Sequence, residues 1–133
     1  MKVLLSIRPE FVEKIFAGTK KYEFRKSLFK RSDVKYVVIY ASAPIKRVVG
    51  EFEIVDILSD DVNTIWEQTK MHSGITRAFY NSYFQNRKIA NAIQIGHLTK
   101  YENTRPLSDY HIHKAPQSFC YIMKEEHFDL DEY

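Results

Sequence analysis

The stretch Gly-Thr-Lys-Lys-Tyr-Glu-Phe-Arg at residues 18–25 constrains this chain more than any other. It stands where an amphipathic helix ends and a strand begins. Upstream, Phe11, Val12, Ile15 and Phe16 recur at helical spacing and form an inward stripe over residues 9–17. Pro9 occupies the first turn, where a missing N–H costs nothing, and Gly18 is the residue best able to turn left-handed past the last one. Downstream, alternate strand side chains share a face. Tyr22 and Phe24 therefore point to a core, while Lys21, Glu23 and Arg25 point the other way and Lys20 stands at the turn. Such a polar face can grip a phosphate or a base edge, because arginine offers a planar donor fork and lysine a mobile point charge. The same charges could equally pair with one another on a solvated edge.

The remaining elements follow from periodicity. Residues 2–7 read as a short buried strand, residues 22–28 as the strand opened by the octapeptide, and residues 36–41 as a central, continuously apolar one. Residues 47–58 alternate, with a change of register near Val55, and residues 90–98 and 118–123 complete the strands. A helix begins after Asp60 or Asp61, which can cap it, and carries Val62, Ile65, Trp66 and Thr69 on one face. A second follows from Thr76 through Phe84, and its Phe79, Tyr80, Tyr83 and Phe84 read as packing rather than a stacking platform. Residues 101–113 look like a loop. The order predicts an α+β domain with a mostly antiparallel β-barrel and flanking helices, not a doubly wound sheet.

Composition excludes several classes. With 133 residues, 44% apolar and 14% aromatic, the chain is one domain's worth of globular protein: residues 1–123 as the domain, residues 124–133 as an acidic tail. One cysteine, Cys120, allows no internal disulfide and no thiolate cluster for zinc, and it reads as a strand residue rather than a nucleophile. No run approaches a membrane span and none resembles a signal peptide, so a cytoplasmic protein with no membrane partner is expected. The net charge is +3, yet the first fifty residues hold twelve Lys and Arg against four acids. A basic first half is the footprint of a protein that meets phosphates.

Gly18, Lys20, Glu23 and Arg25 match the Gly-x-Lys-x-x-Glu-x-Arg signature of the ASCH domain, a branch of the PUA-like superfamily. The lead-in Leu5-Ser6-Ile7-Arg8-Pro9 and the strand containing Val48-Val49-Gly50-Glu51-Phe52 resemble that family as well. The resemblance spans roughly residues 3–123. It implies a small barrel with a cleft beside the first helix, used on RNA or nucleotide-like ligands. Some members are hydrolases of acylated nucleosides, or ribonucleases. In the former the position matching Glu23 carries a threonine, and this chain has an acid there.

The candidate ligand-binding residues are Ser6, Arg8, Lys20, Glu23, Arg25, Tyr40, Gln117 and Ser118. Lys20, Arg25 and Arg8 would hold phosphate, with Ser6 as a further contact. Tyr40 could stack a base, and Gln117 beside Ser118 could offer a donor and an acceptor to a base edge. Lys20 and Glu23 are the candidate catalytic pair. Lys21 and Arg25 would lower the Lys20 pKa and Glu23 would raise it, so no large net shift and a binder rather than an enzyme are expected. A regulatory role in transcription or RNA metabolism would fit such a binder. The alternatives are a small hydrolase of modified nucleosides or RNA, and a protein-interaction module using the 79–84 aromatic face. His111 and His113 lack a third ligand, no cofactor motif is present, and neither a metal nor a cofactor is expected.

Overall fold

The computed structural model describes residues 1–122. Met123 and the acidic tail at residues 124–133 lie outside the described residues. Strands β1 (Lys2–Ile7), β2 (Tyr22–Arg25), β3 (Tyr36–Ala41), β4 (Arg47–Asp61), β5 (Ile89–Arg105) and β6 (Phe119–Ile122) form one sheet in the order β2-β5-β4-β3-β1-β6. Only β1 and β3 run parallel; the other four pairings are antiparallel. The α+β, mostly antiparallel architecture is therefore as expected, but the word barrel holds loosely. β2 and β6 are the two edges and do not pair with each other.

Curvature comes from β4, whose register against β5 shifts between Val48 and Gly50, between Phe52 and Ile54, and between Ile54 and Asp56. The first places three extra residues in β5, and the next two place one extra residue in β5 and then one in β4; such irregularities bend a strand, and the last coincides with the expected change at Val55. The residues read as loop after Tyr101 instead extend β5 to Arg105. Their polar composition hid the strand, but β4 supplies partners: the Tyr101 hydroxyl donates to Glu51 at 2.9 Å, and Arg47 Nε donates to the Thr104 hydroxyl at 3.0 Å. At the other sheet edge the second strand stops at Arg25, three residues short of its expected end.

Helices α1 (Pro9–Ala17), α2 (Val62–Thr69) and α3 (Arg77–Tyr83) fall where the periodicity places them. Gly18 takes φ +85° and ends α1; the Asp61 and Thr76 side chains accept the Thr64 and Phe79 amides and start α2 and α3. The central strands are buried on both faces. Val3, Leu5, Ile7, Val37 and Ile39 pack with Val12 and Ile15 of α1, while Leu4, Val38 and Tyr40 pack on the other side with Tyr110 and Ile122. A third cluster joins Phe24 of β2 to Ile65 and Trp66 of α2 and to Tyr80 and Phe84 around α3. Between the first and third clusters the helices leave a gap, and the cleft opens there.

Candidate functional site

The cleft is a cavity of about 230 Å³ lined by Ser6, Ile7 and Arg8 at the end of β1, Phe11 of α1, Lys20, Glu23, Phe24 and Arg25 of the octapeptide, Ile75, Phe79 and Tyr83 around α3, and Gln117. The first-helix turn explains its floor. Gly18 lets the chain reverse, Lys14 accepts the Lys20 amide through its carbonyl, and the Lys21 amide donates to His72. Lys20 is thereby pulled under the segment 72–75 and is 2% exposed. Its ammonium donates to the Ser73 carbonyl at 3.0 Å and lies 4.8 Å from the Phe24 ring and 5.1 Å from the Phe11 ring.

This burial decides the lysine's chemistry. Desolvation is the largest influence and lowers the Lys20 pKa; the Glu23 carboxylate raises it and Lys14 lowers it further, leaving it at about 8 against an ordinary 10.5. The expectation of no large shift weighed charge against charge and is corrected by the solvation cost, which the octapeptide does not display.

Glu23 and Arg25 face each other within the site. Arg25 Nη1 lies 3.1 Å from Glu23 Oε2 and donates to the Ser6 carbonyl at 3.3 Å, while Nη2 donates to the Ser118 carbonyl at 2.5 Å. The guanidinium thus ties β2 to the end of β1 and to the approach of β6. It spans the gap between sheet edges that no strand pairing closes. Ser6 reinforces that tie by donating its hydroxyl to the Pro116 carbonyl at 2.9 Å. Ser118 enters through its backbone and does not line the cavity.

Arg8 sits at the rim, its guanidinium 5.4 Å from the Phe11 ring and 5.6 Å from the Phe79 ring and paired with Glu10 at 2.6 Å. Exposed Gln117 stands at the mouth. Tyr40 is elsewhere: it is 5% exposed and packed among Leu4, Val38 and Val48, away from the cavity lining. Sequence reasoning read the aromatic stripe of α3 as packing rather than a stacking platform, with a protein-facing surface as the alternative. Tyr80 and Phe84 do pack in the core, but Phe79 and Tyr83 form a wall of the cleft together with Phe11. The signal available was the four-residue step from Phe79 to Tyr83, one helix face apart from Tyr80 and Phe84.

Cys120 lies half-buried in β6, and burial raises its thiol pKa, which disfavours the thiolate. Among the described residues no three His, Cys, Asp or Glu side chains group as metal ligands, and no helix is long and apolar enough to cross a membrane.

A mostly antiparallel, curved α+β sheet with a buried Lys, a Glu–Arg pair and an aromatic wall in one cleft is the architecture of the ASCH, PUA-like class. The chain belongs to the ASCH domain family, whose model matches residues 5–99. An ASCH domain-containing ribonuclease of Zymomonas mobilis is 28% identical over 131 residues, covering 94% of this chain and 86% of that protein. The crystal structure of ASCH from Zymomonas mobilis superposes with a TM-score of 0.86 at 27% identity, covering 98% of this chain and 94% of that one. A protein of Ureaplasma parvum named ATP synthase subunit alpha is 31% identical over 121 residues, and one named large ribosomal subunit protein uL22 is 27% identical over 120. This chain spans only 15% and 39% of the length of those two proteins.

Proposed function

We propose that the cleft binds single-stranded RNA and that Lys20 promotes its cleavage by removing a proton from the ribose 2′-hydroxyl of a nucleotide seated in the cleft. The observation that carries this reading is the buried Lys20 with its pKa lowered to about 8. Roughly one such lysine in ten is neutral at pH 7, where an ordinary lysine is almost wholly charged. The 2′-oxygen then attacks the adjacent phosphorus and the bond to the 5′-oxygen breaks. The proton taken by Lys20 is available to the leaving oxygen, so the products are a 2′,3′-cyclic phosphate and a free 5′-hydroxyl.

Each neighbouring group has a part in that chemistry. Glu23 stabilises the ammonium that forms, and Arg25 keeps the carboxylate in place. Arg8 meets the phosphate at the rim. The similarity to a protein named as a ribonuclease supports RNA as the ligand class. Regulation of transcription or RNA metabolism would act through the same RNA contact.

The test is incubation with short RNAs of mixed sequence. We expect cyclic-phosphate products from the native chain and none from Lys20→Arg, since arginine stays protonated. RNA that binds with unchanged affinity to both and is cleaved by neither would return the site to simple binding.

A further inference from the structure

The cleft has two different regions. Its interior is lined by rings and by Lys20, Glu23 and Arg25, and both cations are engaged within the protein, Lys20 by the Ser73 carbonyl and Arg25 by three hydrogen bonds. With its charges engaged internally, that interior suits a flat, uncharged base. Cations with exposed side chains stand against the aromatic wall, Arg8 within the cleft lining and Lys26 outside it. Arg8 lies over the Phe79 ring, and Lys26 lies over the Tyr83 ring at 4.8 Å. Phe79 and Tyr83 are nearly parallel, with centroids 6.4 Å apart, one turn from each other on the same face of α3. The loop that carries Lys26 is fastened: the Asn91 amide donates to the Arg25 and Lys26 carbonyls at 3.1 and 3.3 Å.

Resting on the RNA reading above, we infer that Arg8 and Lys26 hold successive phosphates on either side of the seated base, so that the cleft takes an internal nucleotide of single-stranded RNA rather than a free nucleoside. The rings they lie over, Phe79 and Tyr83, stand one helical turn apart, so the two long side chains can reach phosphates on either side of one nucleotide. Both side chains are exposed and long enough to swing from ring face to phosphate. The Glu10 carboxylate, paired with Arg8, would exchange that contact for the phosphate.

The experiment measures binding of a 2′-O-methyl nucleoside, its 5′-monophosphate and its 3′,5′-bisphosphate, for each of the four bases, and of a 2′-O-methyl trinucleotide. The methyl group blocks cleavage through the 2′-oxygen. We expect affinity to rise at least several-fold with each phosphate, and the salt slope of trinucleotide binding to fall by about one in Lys26→Ala and in Arg8→Ala. Nucleoside affinity should be unchanged in Lys26→Ala, and Lys26→Arg should restore the slope. Nucleoside and bisphosphate binding equally well would overturn the inference while leaving the cleft a base site. So would a Lys26→Ala variant that weakens both alike. No binding of any of these compounds would defeat the RNA reading itself.

Discussion

Gly74 is packed directly against Lys20: a Cβ on the glycine would come within 2.5 Å of the lysine Cβ and 2.8 Å of its Cγ. The Gly74 φ of +71° independently favours glycine. Its carbonyl also accepts from Lys14 at 2.9 Å, so the segment that buries Lys20 is clasped from both sides. Gly74→Ala should therefore destabilise the fold by about 2 kcal/mol or more, from left-handed strain and overpacking together. Urea unfolding checks this, and a variant as stable as the native chain would mean that the segment moves freely off the lysine.

Lys20 should leave a signature in the dependence of stability on pH. Its folded pKa, about 8, lies below the 10.5 of an ordinary lysine. Between those values the unfolded chain binds more protons, so this group makes stability rise with pH across that window. Below pH 8 both states are protonated and the cost of burying the charge is present in full. Replacing Lys20 by Met removes the cost, so the stability of Lys20→Met relative to the native chain should fall by about 2 kcal/mol between pH 7 and pH 10. Paired urea titrations at the two pH values cancel the titration of all other groups. A constant difference would place the lysine in a more hydrated setting.

Arg25→Ala should be more damaging than its partly exposed position suggests. The substitution leaves the Glu23 carboxylate buried without its partner, a loss of about 3–5 kcal/mol in comparable pairs. It also unfastens Ser6 and Ser118 from β2. The double variant Arg25→Ala with Glu23→Gln should recover part of that loss, since the uncompensated charge is gone. Equal melting behaviour for the single and double variants would assign the damage to the lost backbone ties alone.

The pH profile of RNA cleavage should follow Lys20. A base must be neutral to act, so the rate under subsaturating substrate should climb with pH and level off above about pH 8. A rate that instead declined above that pH would give Lys20 the role of proton donor. Glu23→Gln should shift the rising limb to lower pH, because the carboxylate is the group that holds the lysine's pKa up.

Local rules made much of this protein legible. The helix over residues 9–17, its glycine stop, the capped starts of α2 and α3 and the strand at residues 36–41 are written in neighbouring residues, because helix periodicity, capping and β-branched runs act over a few positions. Of the candidate residues read from the sequence, Ser6, Arg8, Lys20, Glu23, Arg25 and Gln117 line one cleft. What lay beyond it depended on distant chain. Tyr40 went to a different core because both faces of its strand are covered, and one stripe of α3 divided between core and cleft. The extension of β5 needed β4 as a partner. Above all, the octapeptide determined that a lysine would stand at that turn, while the fold of residues 72–75 over it decided how little water it would see. Charge is a property of the sequence, but solvation belongs to the packed structure, and here solvation set the lysine's pKa.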